Sequence, residues 1–578
     1  MQRRKPAIRA VLITAAVAAV PVTLVAIAMG EASASQTYYV APGGNDGAAG
    51  TQAAPWASIA KAQSVAQAGD IVYFRGGTYA YTKANSTCPS QTGRVDAVTL
   101  NKSGTSGSPI RYWAYPGEKP VFDFSRVTDD CRIKGFDVTG NYLHLKGLEV
   151  TGVRQNNTLN HESWAVWISG SNNTFEQLDI HHTMGTGLFI NAGAGNLVLN
   201  SDSHDNYDSK SSNGAGESGD GFGAHYMTAG SPSNVFRGDR AWNNSDDGFD
   251  LIDAYAPVTI ENSWAWKNGY VPGTTTAAGN GNGFKAGGYG GDYDAAAVKH
   301  TVRFSVAFTN RAAGFYANHH PVANDYFNNT SYGNHPDFNM LGVDSSGAAV
   351  GRGNLRNNIA YTGTLTSNMS GTSSANNSWD LGVTLNDAQF ASVSTAGWDA
   401  ARPADGSLPV RPNLRLAATS SLIDRGANVG LPYNGAAPDL GAFETGASTP
   451  PPSGRYEAET APAVCTGKID TKHAGYSGSG FCDGTAAIGA YAQFTVDASA
   501  PAPATVAVRF ANGTASTRPA NLVVNGSTVG TVSFEPTGAW TTWSTKTLSV
   551  SLKAGGNTIR LDPTTADGLP NVDCLDVS

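Results

Sequence analysis

Short stretches that alternate apolar and polar residues recur between residues 173 and 340, and each ends in a polar, usually Asn-containing turn. Six of these stretches predict strands, at residues 173–178, 196–200, 234–238, 258–262, 301–305 and 325–329. A second short strand is predicted after each of them, around Gly187-Leu188, Gly221-Phe222, Gly248-Phe249, Gly283-Phe284, Gly314-Phe315 and Asp337-Phe338. The five glycines are 34, 27, 35 and 31 residues apart. A constant motif at unequal spacing predicts equal coils that carry loops of different length.

This repeat predicts a parallel β-helix, because one coil cannot bury its apolar face alone and stacked coils share one core. Asn side chains at equivalent turns are expected to form a hydrogen-bonded ladder from coil to coil. The open end of such a helix exposes unpaired backbone and needs a cap. Trp56, Ile59 and Val65 stand at helical spacing. They predict a capping helix within residues 55–66, before a first strand at Ile71–Phe74.

The two ends of the chain have different patterns. Basic residues precede an apolar run at residues 11–29, and Ala32-Ser33-Ala34 offers a small-residue cleavage site. Residues 1–34 are therefore predicted to be a signal peptide rather than an anchor, with no membrane partner after cleavage. A Pro- and Ser-rich linker is predicted at 447–454 between a β-helix domain at 35–446 and a β-sandwich, jelly-roll-like module at 455–578. The predicted fold class is thus all-β, and the protein is expected to be secreted.

Export permits disulfide bonds, and the chain has five cysteines. Cys88 and Cys131 lie far from the other three along the sequence, so they form one plausible pair. Cys465 with Cys482 is the second plausible pair, which leaves Cys574 unpaired. Other connectivities stay open, because spacing alone does not fix them.

The charge balance bears on the partner. The 578 residues include 38 Lys and Arg against 46 Asp and Glu, a formal net charge of −8. Nucleic acid and anionic membranes need a basic face, so the balance argues against both. An acidic polymer bound through metal ions stays possible. The protein is expected to act as a monomer.

Aligning the coils on the Gly-Phe step brings acidic residues together. Asp220 and Asp247 take equivalent positions on neighbouring coils, with backbones roughly 4.8 Å apart, and so do Asp250 and Lys285. Asp246 adds a fourth carboxylate. Stacked like charges destabilise a sheet, so this group needs protons, a basic partner or a cation. Oxygen ligands at variable spacing suit calcium. The alternative, that these residues only form exposed Asp-Gly turns, does not account for the register with Lys285.

The motifs of this region resemble those of family 9 polysaccharide lyases, which are secreted right-handed β-helix enzymes and mainly pectate lyases. The resemblance spans about residues 37 to 445 and rests on residues 219–222, 243–251, 263–269 and 281–285. It implies that Lys285 is the catalytic base. It also implies that the calcium ligands are Asp220, Asp246, Asp247 and Asp250.

The activity implied by this resemblance is β-elimination on polygalacturonate or a related acidic plant polysaccharide. A base removes the C5 proton, the bond to O4 breaks, and a 4,5-unsaturated uronate forms at the new non-reducing end. Lys285 accepts a proton only when it is neutral, so we expect an alkaline activity optimum. His225 and Arg311, expected in strands beside the groove, are candidates for contacting substrate carboxylates.

The C-terminal module resembles family 35 carbohydrate-binding modules over roughly residues 455–578. The resemblance rests on residues 456–459, 475–481, 509–513, 524–526, 538–543 and 570–573. It implies a structural calcium held by Glu457, Glu459 and Asp573. It also implies glycan contacts by Tyr476, Trp540 and Asn571, although core packing is an alternative role for Trp540.

Two other functions are considered for the whole chain. β-Helices also carry glycoside hydrolases with paired carboxylates, in which Asp246 or Asp247 would act as acid or base. A non-catalytic wall-binding protein would bind glycan and release no product. An unsaturated product that chelator abolishes distinguishes the lyase from both.

Overall fold

The computed structural model of the chain describes residues 35–83, 93–156, 162–211, 214–403, 405–445, 454–460, 463–498, 502–553 and 555–577. The predicted signal peptide, Cys88 and most of the predicted linker lie outside these residues. Within the described ranges, no helix has both the length and the apolar character needed to cross a membrane.

The chain winds into coils, and most coils add one strand to each of three parallel sheets. The first sheet has twelve strands: Thr37–Val40, Ile71–Phe74, Ile110–Ala114, Leu143–Lys146, Thr174–Glu176, Leu197–Leu199, Asn234–Arg237, Val258–Glu261, Thr301–Arg303, Asp325–Phe327, Asn354–Arg356 and Ser373–Ala375. The second has ten: Arg94–Leu100, Arg132–Val138, Ser163–Ile168, Gly185–Asn191, Phe222–His225, Phe249–Asp250, Phe284–Lys285, Phe315–Tyr316, Phe338–Asn339 and Thr366–Ser367. The third also has ten: Gly77–Ala80, Pro120–Asp123, Glu149–Thr151, Asp179–His181, Asp202–His204, Arg240–Trp242, Trp264–Trp266, Val306–Phe308, Thr330–Tyr332 and Ile359–Tyr361.

This architecture confirms the predicted parallel β-helix. The six alternating segments form strands of the first sheet, and the six bulky positions after them lie in strands of the second. The third strand of each coil was not predicted as part of the repeat. It is three residues long in most coils, and no shared motif such as the Gly-Phe step marks it.

A column of stacked phenylalanines fixes the register of the second sheet. Phe222, Phe249, Phe284, Phe315 and Phe338 are completely buried, and neighbouring ring centroids are 4.8–5.0 Å apart. Successive side chains of a strand point to opposite faces, so the residue after each phenylalanine points outward. A slip by one residue would bury those polar neighbours, and the column therefore aligns the outer face of the sheet.

The predicted asparagine ladder is confirmed at the turn that leads into the second sheet. The ladder runs along Asn206, Asn244, Asn268, Asn310 and Asn334. From Asn244 onward, each Oδ1 accepts hydrogen bonds from the backbone N and from Nδ2 of the preceding coil's asparagine, at 2.9–3.3 Å. All five are buried. The ladder holds the turn that carries Asp246 and Asp247, two and three residues after Asn244.

Replacing Asn268 with alanine is expected to lower the free energy of unfolding by about 3 kcal/mol, because buried hydrogen-bonding groups of the two neighbouring coils lose their partner. Its Nδ2 donates to Ala241 O at 3.2 Å and to Asn310 Oδ1 at 2.9 Å. Urea unfolding measures the effect. Asn45→Ala is the matched control, since Asn45 is exposed and its side-chain Oδ1 accepts from Gly47 N within its own turn. Equal losses in the two variants would contradict a ladder-based stabilisation.

A short helix caps the first coils, as predicted. It spans Ile59–Val65, and the Oγ of its N-cap Ser58 accepts a hydrogen bond from Lys61 N at 3.1 Å. The prediction that Ile71–Phe74 is the first strand is wrong, because Thr37–Val40 precedes it and pairs with it in parallel. Only Val40 of that strand is buried, so the strand lacks a readable alternation.

The strands after residue 453 are antiparallel and form two sheets, which confirms a β-sandwich. The six-stranded sheet comprises Gly454–Glu457, Gly467–Asp470, Phe481–Gly484, Ala502–Ala511, Ser544–Leu552 and Asn571–Val577. The five-stranded sheet comprises Val464–Cys465, Ala492–Ala498, Arg518–Val524, Ser527–Phe534 and Gly555–Pro563. The Cys465–Cys482 disulfide joins the two sheets, and Cys574 is unpaired and buried, both as predicted. The remaining elements are the hairpin Leu341–Val343 with Ala349–Gly351 and the 3-10 helix Asp387–Gln389.

Candidate active site

The outer face of the second sheet carries the predicted site. Gly223 pairs with Asp250, Asp250 pairs with Lys285, and Lys285 pairs with Tyr316 on successive strands. Because the neighbouring phenylalanines point into the core, these four residues lie on the outer face. The predicted register between Asp250 and Lys285 is confirmed.

Three further carboxylates lie where each coil turns into this sheet. Gly221 N donates to Asp247 O at 3.0 Å, and Asp220 Oδ1 accepts from Asp247 N at 3.1 Å, so the two aspartates stand on adjacent coils. Asp220, Asp246 and Asp247 each offer one carboxylate oxygen within 4.8 Å of the others. Their exposed fractions are 6%, 2% and 0%. The turn therefore concentrates three buried acids at one point.

The Lys285 amine faces these acids. Its Nζ is 3.0 Å from Asp250 Oδ2 and 3.2 Å from Asp247 Oδ2. The side chain is 11% exposed, so it is largely covered yet not sealed inside the wall. An amine in this position reaches both the acidic group and the surface of the sheet.

Burial and mutual repulsion dominate the electrostatics. Burial first, and then the neighbouring carboxylates, raise the pKa of Asp220 and Asp246 well above the ordinary value. Burial also raises the pKa of Asp250, but Lys285 outweighs it and holds that pKa below its usual value. Burial alone would lower the pKa of Lys285, whereas the four carboxylates, led by Asp250, raise it well above the ordinary value. One ammonium group does not neutralise four acids, so a further cation or protons are needed.

The donor set fits a calcium ion. Asp247 Oδ2 is buried and faces only the Lys285 ammonium, 3.2 Å away, while its Oδ1 accepts from Asn282 N at 2.6 Å. Asp246 Oδ1 accepts from Asn280 N at 2.5 Å. These backbone donors orient the carboxylates and leave other oxygen lone pairs free, and an all-oxygen set is what calcium prefers. Asp250 is not within the close group of three, and its Oδ2 pairs with Lys285, as Asp247 Oδ2 does.

The two substrate-contact candidates have different surroundings. His225 ends the strand Phe222–His225, its ring is 4.7 Å from that of Phe189, and its Nε2 has no hydrogen-bond partner. Burial lowers the pKa of His225 to about 4, so its imidazole is neutral at pH 7. The expectation that Arg311 lies in a strand is wrong. It follows ladder residue Asn310 in the turn, and its Nη2 donates to Asn280 O at 2.9 Å.

Two neighbours of the site were missed from the sequence. Asn282 occupies the place in its coil that Asp220 and Asp247 occupy in theirs, directly before a Gly-Phe step. Tyr316 stands beside Lys285 on the next strand. Extending the same alignment by one coil, from Asp247 to Asn282 and from Lys285 to Tyr316, would have found both.

In the module, Ser477 Oγ lies 2.8 Å from Glu457 Oε2 and 3.0 Å from Asp573 Oδ2, so that these two predicted ligands share one hydroxyl donor and lie close together. Burial, with the charge of Glu459 and Asp573, raises the pKa of Glu457 to about 7. Glu459 Oε2 is buried without a hydrogen-bond partner, an arrangement that fits a cation. Asp573 also forms an ion pair with Arg509.

Two of the three predicted glycan contacts of the module, Tyr476 and Trp540, lie near Phe481. The Tyr476 ring centroid is 5.6 Å from that of Phe481, and Trp540 stacks on His473, which in turn stacks on Phe481. Asn571 begins the strand Asn571–Val577 and is 2% exposed. Its Nδ2 has no hydrogen-bond partner.

Comparisons with known proteins agree with this arrangement. Residues 38–358 match the model of the Pel9A-like, right handed beta helix region, and residues 457–578 match the carbohydrate binding module (family 6). The chain is 38% identical to "Pectate lyase L" of Dickeya chrysanthemi over 337 residues, which cover 57% of this chain and 72% of that protein.

Two solved structures are similar in fold. "Crystal structure of pectate lyase Pel9A" shares 37% identity at a TM-score of 0.60 and covers 71% of this chain and 97% of its own. "Rhamnogalacturonan lyase" shares 37% identity at a TM-score of 0.62 and covers 66% and 97%. The family model spans more than half of the chain. The chain therefore belongs to the Pel9A-like family of right-handed β-helix polysaccharide lyases and carries a C-terminal carbohydrate-binding module.

Proposed function

We propose that the protein is a secreted, calcium-dependent pectate lyase that cleaves polygalacturonate or a related uronic-acid polymer by β-elimination, with Lys285 as the base. The observation that carries this proposal is the Lys285 amine, 3.0 Å and 3.2 Å from two aspartates of an acidic group on the outer face of the helix. The relatives named as pectate lyases support the choice of substrate.

The elimination needs a proton acceptor at C5 of a uronate. Lys285 takes that proton when its amine is neutral, and the C–H electron pair forms the C4–C5 double bond as the C4–O4 bond breaks. The departing O4 takes up a proton and becomes a hydroxyl of the released chain. His225, neutral and with a free Nε2, and Arg311 at the turn are proposed to hold substrate oxygens.

Asp220, Asp246 and Asp247 would hold the calcium ion, with Asp250 beside them positioning the Lys285 amine. A bound calcium ion supplies positive charge that stabilises the carboxylate of the substrate and the negative charge that develops at C5. In that state, fewer unpaired acids face Lys285, which favours the neutral amine.

Family membership favours the lyase over the hydrolase and over the non-catalytic alternative. The decisive experiment incubates the purified full chain with polygalacturonate, with calcium and with chelator. Rising ultraviolet absorbance from a 4,5-unsaturated product, identified by mass and abolished by chelator, is the expected result. Saturated products would indicate hydrolysis, and binding without product would indicate a non-catalytic role.

We also propose that residues 1–34 direct secretion, that 447–454 form a linker, and that Tyr476, Trp540 and Asn571 of the module bind glycan. Glu457, Glu459 and Asp573 are proposed to hold a structural calcium there.

Deleting the residues after 448 is expected to reduce release of unsaturated product from insoluble wall fragments about 10²-fold while leaving the rate on soluble polymer unchanged. A tethered binding module raises the effective concentration of enzyme only where its ligand is immobile. Parallel rate measurements on both substrates check this. Equal loss on both would count against a targeting role.

A further inference from the structure

A second group of side chains lies on the same outer face as Lys285, nearer the N-terminal end of the helix. It consists of Arg94, Arg132, Lys134, Trp164, Trp167 and Phe189, and is called here the Arg94 patch. The Arg94 guanidinium carbon lies 5.4 Å from the Trp164 ring centroid and 4.9 Å from that of Trp167. The two indoles are buried, with 1% and 5% exposure, whereas Arg94 is exposed.

The two tryptophans of the patch occupy the same two rows of side chains as the acidic group, and Arg94, which pairs with Arg132 two positions before the Trp164 row, reaches over them. In one row Trp167 pairs with Phe189, Phe189 with Gly223, Gly223 with Asp250, and Asp250 with Lys285. In the other, Trp164 pairs with Thr186, whose Oγ1 donates to Asp220 Oδ2 at 3.2 Å. Four strand steps separate Trp167 from Lys285, about 19 Å at roughly 4.8 Å per step. A polymer lying along these rows would therefore contact both places.

Arg94 is the cation of the patch that has no acidic partner among the described residues. Lys134 Nζ is 2.9 Å from Asp137 Oδ1 and 3.5 Å from Asp96 Oδ1. Arg132 donates to the carbonyl of Glu162 and lies 3.9 Å from its carboxylate. Arg94 instead rests on the two indole rings. Cation–π contacts keep a guanidinium in place without using its in-plane N–H groups, which stay free for a carboxylate.

Trp164 has a second unpaired donor at the same place. Its Nε1 is buried and has no hydrogen-bond partner. The buried indoles, the Trp164 Nε1 included, offer little open surface to a sugar ring, so recognition here falls to the charge and the N–H groups of the exposed Arg94. The fitting ligand is a carboxylate-bearing sugar unit.

We propose that the Arg94 patch is a distal subsite that binds the carboxylate of a uronate unit remote from the bond being cleaved. This inference rests on the proposed lyase function and adds a chain-length dependence to it. A long polyuronate spans from Arg94 to Lys285 and gains affinity from the distal contact. A short oligomer positioned at Lys285 does not reach Arg94. The protein therefore favours polymer over short fragments through its KM.

The test compares the full chain with Arg94→Gln, which removes the charge and keeps most of the side chain. On polygalacturonate, Arg94→Gln is expected to raise KM about tenfold with kcat unchanged, since a charged hydrogen-bonded pair contributes about 1.4 kcal/mol or more. On trigalacturonate, KM and kcat are expected to stay the same. An unchanged KM on the polymer, or an equal rise on the trimer, would overturn the subsite.

A matched control separates recognition from general charge and folding. Arg111→Gln removes a guanidinium carbon 5.6 Å from the Trp113 ring, on the first sheet and away from both rows. Its KM and kcat are expected to equal those of the unmodified protein on both polygalacturonate and trigalacturonate. Arg94→Lys keeps the charge without the planar guanidinium group. Its KM on polygalacturonate is expected to lie between those of the unmodified protein and Arg94→Gln.

A binding measurement keeps the outcome independent of catalysis. In native gels that contain polygalacturonate and chelator, the unmodified chain and Arg111→Gln should be retarded more than Arg94→Gln. Equal retardation of all three would overturn the proposal. If the unmodified chain releases no unsaturated product from any uronate polymer, the lyase proposal fails, while the gels still decide whether Arg94 binds polyuronate.

Discussion

Replacing Lys285 with alanine is expected to lower kcat on polygalacturonate about 10³-fold, within the usual contribution of a general base. KM should change little, because the removed group acts on the C5 proton rather than on binding. The variant should still bind calcium, since Asp220, Asp246 and Asp247 stay in place. Initial rates from product absorbance, together with calorimetric calcium titration, measure both expectations.

The same substitution also affects stability. Lys285 compensates part of the charge of Asp247 and Asp250, both buried. Without calcium, Lys285→Ala should melt at a lower temperature than the unmodified chain, and saturating calcium should narrow the difference. Lys267→Ala, at an exposed lysine of the same coil, is the control and should alter neither rate nor stability. Near-normal turnover in Lys285→Ala would reject the base assignment.

Replacing Asp247 with alanine is expected to weaken calcium binding at this site more than about 100-fold, beyond the usual 10–100-fold effect of a supporting residue. Asp247 has a completely buried carboxylate, with one oxygen oriented by Asn282 and the other facing only the Lys285 ammonium. Turnover should fall in parallel and recover in part at high calcium concentration. Calorimetry and rates at graded calcium concentrations test this.

A thermal shift provides a second measure of the same site. A ligand present at 100 times its Kd stabilises the folded state by about 2.7 kcal/mol, so calcium should raise the Tm of the unmodified chain. The part of that rise due to this site should be lost in Asp247→Ala. Asp239→Asn is the matched control, because Asp239 is also buried but its Oδ1 accepts from Ser201 N, outside the acidic group. Unchanged calcium affinity in Asp247→Ala would remove Asp247 from the ligand set.

The repeat made the site largely predictable. The Gly-Phe steps at 221–222, 248–249 and 283–284 define the register, because the large buried phenylalanine that recurs in every coil must stack on that of the next coil. Once that register is set, Asp220 and Asp247 must occupy equivalent positions on neighbouring coils, and so must Asp250 and Lys285. The asparagine ladder was predictable for the same reason.

Other features depend on contacts that the sequence pattern does not contain. Arg311 was expected in a strand, but the ladder residue before it places it in a turn. Thr37–Val40 became the first strand because it pairs with Ile71–Phe74, although its own residues show no alternation. The cation–π placement of Arg94 joins residues about 70 positions apart, and no local motif marks it.

The sequence by itself determined the all-β class, the coiled repeat, the sandwich module and the shared register of the acids with Lys285. Those features follow from the order of apolar and polar residues within short segments, which repeats along the chain. Only the tertiary structure decided which acids converge within 4.8 Å, that Asp247 and Asp250 both pair with Lys285, and that Arg94 has no acidic partner among the described residues. Such distances depend on turn geometry and on side chains from several coils, and residue order alone does not specify them.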